Sequence, residues 1–219
     1  MFTPERIITP ELLDEHDAPR ADVERSLRDL RLINRYFGGV RVYRSLLRRL
    51  GVVRSVVDLG AGTADLLDSV AGLTLGVAVD IKIEHLAYLR RGSHALRVVA
   101  DAARLPFRDG AVDAVTSSHF FHHFSPDENE AILRESLRVA RRGVAVNDTR
   151  RHYAPLLFVR LIAALGLVGR ITAFDAPASV LRGYTLGEAR AIGGRSGAAR
   201  MKAVRSWPYR FGLMLWKST

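Results

Sequence analysis

Residues Val56 to Asp65, V-V-D-L-G-A-G-T-A-D, constrain the fold more than any other stretch: an apolar run ends in an aspartate and two glycines one residue apart. Such a run suits a strand buried on both faces. The glycines let the backbone leave that strand in a tight turn and approach a ligand closely. A helix opening at Thr63 would aim free N–H groups at whatever lies above the turn. A G-x-G-x-x-G dinucleotide fingerprint needs a third glycine three residues after the second, and the chain has Asp65 there. A nucleotide cradle and a plain strand-to-helix turn are therefore both open on this motif alone.

The segments that follow alternate between strand-like and helix-like patterns. Strands are expected at Val52 to Leu59, Thr74 to Asp80, Leu96 to Ala100, Ala111 to Ser118 and Gly143 to Asn147, with helices near Ile83 to Arg90 and Pro126 to Ala140. This alternation predicts an α/β fold with a parallel sheet and crossover helices. Met201 to Trp207 and Tyr209 to Trp216 read as two strands around Pro208 that supply an antiparallel edge. Before the first strand, Ala21 to Leu50 shows helical spacing in two pieces broken at Gly38-Gly39. The expected organisation is an N-terminal helical lid or extension over residues 1–50 and a Rossmann-like domain over residues 51–219. Leu156 to Val168 is too short and, with Arg160, too charged for a membrane span; a helix covering the site is the first reading and contact with a membrane interface the second.

Composition narrows the chemistry. With 219 residues and 48% hydrophobic content the chain can bury one sizeable core. It has no cysteine, which excludes disulfides, thiolate metal sites and cysteine nucleophiles, and no metal site is expected. The start carries prolines and acids in place of a charged-then-apolar signal, so a cytoplasmic protein is the default. The net charge of +10 invites polyanions, and ten arginines between Arg20 and Arg54 face only Asp22, Glu24 and Asp29. Those arginines also fit the solvated faces of amphipathic helices.

In open α/β sheets, ligands sit beyond the carboxyl ends of the strands. The expected strands end at Asp58 and the glycine turn, Asp80, Asp101, Ser117-Ser118-His119, and Asn147-Asp148. Asp80 stands twenty residues beyond Gly60, the interval at which an acidic residue meets ribose hydroxyls. Asp101 could accept from an exocyclic amine and Ala102 offer a backbone N–H, in a loop suited to an adenine ring; a solvated loop aspartate is the plain alternative.

Together, V-V-D-L-G-A-G-T-A, V-A-V-D-I, V-V-A-D-A-A-R-L-P-F-R-D-G-A-V-D-A-V and S-S-H-F-F-H-H-F, spanning Val56 to Phe124, resemble the class I S-adenosylmethionine-dependent methyltransferases. The resemblance implies a seven-stranded, mainly parallel sheet with an antiparallel last hairpin. It implies S-adenosylmethionine as cofactor, with Gly60 and Gly62 near its methionine part, Asp80 at the ribose, and Asp58, Ala61 and Ile81 among the residues that bind it. Asp101 and Ala102 would meet the adenine, and Ser118 and His119 would line the pocket. Many members have glycine where this chain has Ala64. The flanks L-I-N-R-Y-F-G-G and V-A-V-N-D-T-R-R-H-Y-A-P-L-L are similar to small-molecule methyltransferases of polyketide biosynthesis, which would make Asn34, Arg35 and Tyr36 a lid over the cofactor with Arg35 available to its carboxylate; a polar face at a helix end is the plain alternative.

Methyl transfer rests mainly on positioning and desolvation, and a general base helps a phenol or enol. His119 and His122 are the expected catalytic groups; His123, Asp148 and His152 are the other candidates near strand ends. The expected activity is transfer of a methyl to oxygen or carbon of a small, lipophilic, aromatic or polyketide-like acceptor. An RNA methyltransferase and a non-catalytic S-adenosylmethionine-binding scaffold are the alternatives. The oligomeric state is left open.

Overall fold

The computed structural model describes residues 3–14, 18–89 and 92–218. Helices α1 (Arg20–Tyr36) and α2 (Gly39–Arg49) lead into strand β1 (Ser55–Leu59), followed by α3 (Asp65–Asp68), β2 (Leu75–Asp80), α4 (Ile83–Ala87), β3 (Leu96–Val99) and β4 (Val112–Ser118). The second half runs α5 (Pro126–Val139), β5 (Ala140–Thr149), α6 (Tyr153–Ala164), α7 (Arg170–Arg182), α8 (Leu186–Gly194), β6 (Arg200–Ser206) and β7 (Arg210–Trp216). The strands form one seven-stranded sheet in the order β3-β2-β1-β4-β5-β7-β6. Pairing is parallel from β3 to β5 and antiparallel where β7 meets β5 and β6. The expected Rossmann-like topology and its last hairpin are therefore both present.

Neighbouring residues along each central strand serve opposite faces. Val57, Val77, Val79, Val115 and Val144 pack with Leu133, Leu137 and Ile192 from α5 and α8. Val56, Ala78, Ala114, Ala145 and Met214 pack with Val42, Tyr43, Leu46 and Leu47 from α2. Burial on both faces is what makes the parallel strands so uniformly apolar. Helix α2 thus closes one face of the sheet.

Several expected boundaries move for local reasons. The first strand begins at Ser55, not Val52, because the Arg54 and Ser55 amides are held by Asp113 at 2.8 and 3.0 Å before the ladder starts. The helix expected to open at Thr63 is the single turn α3, delayed because Ala64 is left-handed at φ +57° and Thr63 Oγ1 donates to Asp65 at 2.7 Å. The helix expected to reach Arg90 stops at Ala87, and Arg90 lies outside the described residues. The apolar stretch after β5 folds as α6 over Tyr153–Ala164, ended by Gly166 at φ +66°. Asp175 and Arg182 both lie on α7 and meet different partners: Asp175 accepts from the Leu12 amide and Arg182 donates to the His123 carbonyl.

Candidate active site

The connection from β1 runs to β2 on one side, and β4 lies on the other, so a crevice opens beyond the carboxyl ends of β1 and β4. A cavity of about 400 Å³ occupies that place. Asp58, Gly60, Ala61, Gly62, Asp80, Ile81, Ser118, His119 and His122 all line it, which brings most of the expected site together.

The glycine turn works in two ways. Gly60 and Gly62 have φ of +61° and +52°, and Ala64 joins them in the left-handed region, where a side chain is disfavoured. A Cβ at Gly60 would overlap the Phe120 ring, so this glycine accommodates the protein's own aromatic. A Cβ at Gly62 would meet nothing within 4 Å, so this position faces open space. At the end of β2, the Asp80 carboxylate accepts from the Lys82 amide at 3.0 Å and lies 3.2 Å from His85 Nδ1.

Asp58 is buried under this turn, with Thr116 Oγ1 donating to it at 2.6 Å and Tyr43 Oη 2.9 Å from the same hydroxyl. Burial pushes the Asp58 carboxyl up to about 7, against the Thr116 hydrogen bond. Through that bond Asp58 ties the end of β1 to β4 while lining the cavity.

The other half of the cavity is a charge network. Asp148 Oδ1 holds His122 Nδ1 at 2.8 Å, and Asp148 Oδ2 accepts the His122 amide at 3.0 Å. His122 Nε2 points at Glu11 Oε1, 3.3 Å away, and Ser179 Oγ donates to that oxygen at 2.7 Å. Burial opposes a charge on His122, but the Asp148 carboxylate and the hydrogen bonds to Asp148 and Glu11 outweigh it and raise the imidazole to about 10. Burial would raise Asp148, yet the His122 charge holds it well below the usual carboxylate range. His119 is the opposite case: burial, with Arg210 nearby, pushes it down to about 3. Its backbone is left-handed at φ +52°, and its Nε2 is buried without a hydrogen-bond partner. Two histidines three residues apart are thus an imidazolium and a neutral imidazole.

Three expected site residues do not reach the cavity. The Asp101 carboxylate turns back on its own loop to accept the Ala103 amide at 2.8 Å. Ala102 is buried against the sheet core. Arg35 is exposed on the outer face of α1, its guanidinium 5.7 Å from the Tyr36 ring centre. The inward face of the same helix presents Val23, Leu27, Leu30 and Asn34, at spacings of four, three and four, to the cavity. His152, weighed as a base, caps α6 by accepting the Ala154 amide at 3.0 Å. Helix α6, expected to cover the site, does not line the cavity; Ser179 and Arg182 of α7 do.

Glu11 was not foreseen. Residues 3–14 lie across α7: the Ile7 amide donates to the Leu181 carbonyl at 3.3 Å, Arg6 Nε to the Arg182 carbonyl at 2.8 Å, and the Leu12 and Leu13 amides to Asp175 at 2.8 and 3.0 Å. This strap carries Glu11 to His122, a partner 111 residues away. Donor atoms of Glu11, His122 and His123 lie within 4.8 Å of one another, a set with the chemistry to ligate a divalent cation. The Arg182 guanidinium, 3.9 Å from Glu11 Oε1, and the His122 imidazolium supply positive charge to that carboxylate from the chain itself.

The cavity fits a sulfonium nucleoside at its glycine end. Asp80 offers acceptors for vicinal hydroxyls, Gly62 leaves space, and the buried Asn34 Oδ1 and His119 Nε2 lack partners that a bound ligand would supply.

A methyltransferase-domain family profile matches residues 57–146. The demethylmenaquinone methyltransferase of Mycobacterium sp. (strain JLS) is 32% identical over 165 residues, covering 72% of this chain and 69% of that protein. The fold is shared with a SAM-dependent methyltransferase from Aquifex aeolicus at a TM-score of 0.61 and 18% identity, covering 88% of this chain and 98% of that one. It is shared also with the magnesium protoporphyrin IX methyltransferase of Synechocystis with bound SAH, at a TM-score of 0.57 and 17% identity over 93% and 90% of the two chains.

Proposed function

The chain belongs to the class I S-adenosylmethionine-dependent methyltransferases, and from that premise we propose that it methylates oxygen or carbon of a small, lipophilic aromatic or polyketide-like acceptor that reacts as a phenolate or enolate. The observation that carries this reading is the two-sided cavity: a glycine turn and Asp80 at one end, and an apolar α1 face beside the His122 imidazolium at the other.

S-adenosylmethionine, when bound, supplies an electrophilic methyl group on a sulfonium. Asp80 would hold its ribose, and the backbone at Ala61 and Gly62 would border its methionine part. Val23, Leu27 and Leu30 exclude water around the acceptor, which suits attack by a desolvated nucleophile. With its pKa raised to about 10, His122 keeps its proton at neutral pH and acts by charge. It favours the ionised acceptor oxygen, so the acceptor's proton leaves to solvent on binding. Asp148 fixes that imidazolium through Nδ1 and leaves Nε2 facing Glu11 Oε1 at 3.3 Å, on the wall of the cavity that both residues line. His119, pushed down to about 3, is too weak a base to take the proton and serves as a neutral hydrogen-bonding group. These roles replace the proton-removing one expected of both histidines.

The test is transfer of labelled methyl from S-adenosylmethionine to a panel of small phenols, naphthols and quinols, with RNA in parallel. A labelled methyl ether or C-methyl product on an acidic aromatic acceptor is the expected result. Label on RNA, with binding that weakens steeply as salt rises, overturns it; so does tight cofactor binding with no transfer to any small acceptor.

A further inference from the structure

Helix α6 is built almost wholly of apolar residues, yet Leu156 alone among its twelve is buried. Leu157, Leu161 and Leu165 stand one turn apart at 72%, 55% and 63% exposure, and Phe158 is exposed beside them. The face continues onto the end of α1, because the Phe158 ring lies 5.4 Å from Phe37, next to Tyr36 at 65% exposure. An exposed stripe of this extent marks a surface that something covers.

The charges around it identify what. Residues 149–174, which include α6, contain no aspartate or glutamate; of their arginines, Arg151 is buried against Glu188, and Arg150, Arg160 and Arg170 are the others. At the end of α1, Arg31 and Arg35 precede Tyr36 with no acid after Asp29. Arg160 sits exposed within the stripe's own helix, Arg170 is exposed at the start of α7, and Arg35 is exposed beside Tyr36. No described helix is long and apolar enough to cross a membrane. A short helix with a leucine and phenylalanine face and a single arginine, Arg160, as its charge is instead suited to lie in the plane of a bilayer interface. Arginine stems can rest on the acyl boundary while the guanidinium groups meet phosphate.

We propose that α6 and the end of α1 form a docking face for an anionic lipid bilayer. The two surfaces of α1 then differ in purpose: Val23, Leu27, Leu30 and Asn34 wall the cavity, and Tyr36, with Phe37 next to it, faces the lipid. A lipophilic acceptor dissolved in the bilayer would reach the cavity past this helix. That last step rests on the proposed acceptor class, whereas the docking itself needs neither acceptor nor turnover.

The experiment is co-sedimentation of the full chain with phosphatidylcholine vesicles, with and without phosphatidylglycerol. Binding is expected to the anionic vesicles, to weaken with salt, and to fall by about tenfold or more in Leu157→Gln/Leu161→Gln. Arg160→Gln/Arg170→Gln should weaken the anionic preference while leaving apolar contact. S-adenosylhomocysteine affinity should be unchanged in both variants, which shows that they are folded. Absence of binding to anionic vesicles overturns the proposal, as does binding that the leucine variant does not reduce. A dimer that Leu157→Gln/Leu161→Gln dissolves, with no vesicle binding, would assign the face to a second copy of the chain instead.

Discussion

Asp148 holds His122 twice, through Nδ1 at 2.8 Å and through its backbone N–H at 3.0 Å. The carboxylate therefore sets both the charge of the imidazole and its aim at the cavity. Asp148→Asn keeps the shape and removes the charge. It should lower kcat by roughly 10²-fold or more, since an electrostatic contact to the reacting oxygen is lost, while S-adenosylmethionine affinity by calorimetry stays near wild type. Breaking a buried pair on one side also costs roughly 3–5 kcal/mol, so unfolding is measured alongside. Cofactor affinity that falls in step with kcat would place Asp148 in the cofactor site.

The same pair gives stability a pH signature. His122 is raised from 6.5 to about 10, so its contribution is complete below the unfolded value and is lost as pH rises toward 10. His119 is lowered from 6.5 to about 3, so protonation of the unfolded chain erodes stability as pH falls below 6.5. Asp148 and Glu11, both held below their ordinary values of 3.8 and 4.5, add a further loss in acid below those values. Asp58, raised from 3.8 to about 7, favours the folded state as pH falls through that window and offsets His119 there. Thermal unfolding should therefore show a plateau from about pH 4.5 to 6.5, with a decline on the alkaline side and another in acid below 4.5. His122→Gln should flatten the alkaline limb, by up to about 1.4 kcal/mol per pH unit for one proton. An alkaline limb unchanged in that variant would show that His122 is not the titrating group.

How far the sequence carries depends on whether a feature is local. The strand-end glycines, Asp80 and His119 were legible because β-branched runs mark strands and ligands gather at their carboxyl ends. Of the three lid residues expected at the end of α1, Asn34, Arg35 and Tyr36, Asn34 lines the cavity and the other two point away, since on a helix one position is about 100° of rotation. Glu11 was illegible because no periodicity marks the strap, whose position comes from hydrogen bonds to Asp175, Leu181 and Arg182 far along the chain. The apolar run after β5 was legible as a helix, but its outward face was not, since hydrophobicity alone does not say whether protein or something else covers it.

Asp80 and Asp101 are both strand-end candidates in the sequence, Asp80 the stronger by its spacing from Gly60, and they differ in the structure. Asp80 lines the cavity, while the Asp101 carboxylate is engaged with the Ala103 amide. Asp80→Ala should weaken S-adenosylmethionine by roughly 10- to 100-fold, the range for hydrogen bonds to a charged acceptor. Asp101→Ala should change it by less than about threefold, within the range of a surface substitution. Equal losses would mean that the Asp101 loop turns toward the ligand on binding.

Ala64 is buried and left-handed at φ +57°. Glycine would remove a backbone penalty of roughly 1–2 kcal/mol, while losing a buried methyl worth about 0.8 kcal/mol and adding unfolded-state freedom. Ala64→Gly should therefore alter stability by no more than about 1 kcal/mol either way. Cofactor affinity should also hold, because the methyl packs into the core below the turn and away from the cavity. An affinity gain of tenfold or more would mean that the alanine distorts the loop.

Glu11 presents a carboxylate to His122 Nε2 at 3.3 Å, the atom to which an acceptor oxyanion would bind. It is fixed there by Ser179 and by the strap across α7. An anionic acceptor must displace this carboxylate or bind beside it, and like charges at such range repel. Glu11→Ala should therefore lower KM for an acidic aromatic acceptor, by roughly tenfold if one such contact is relieved, with little change in S-adenosylmethionine affinity. Because His122 keeps Asp148, kcat should persist. Glu11→Gln, which keeps the size but not the charge, separates the effects: a KM that falls in both variants identifies charge as the cause. A kcat lost in both variants would make Glu11 part of the catalytic apparatus, with the strap completing the site instead of competing for it.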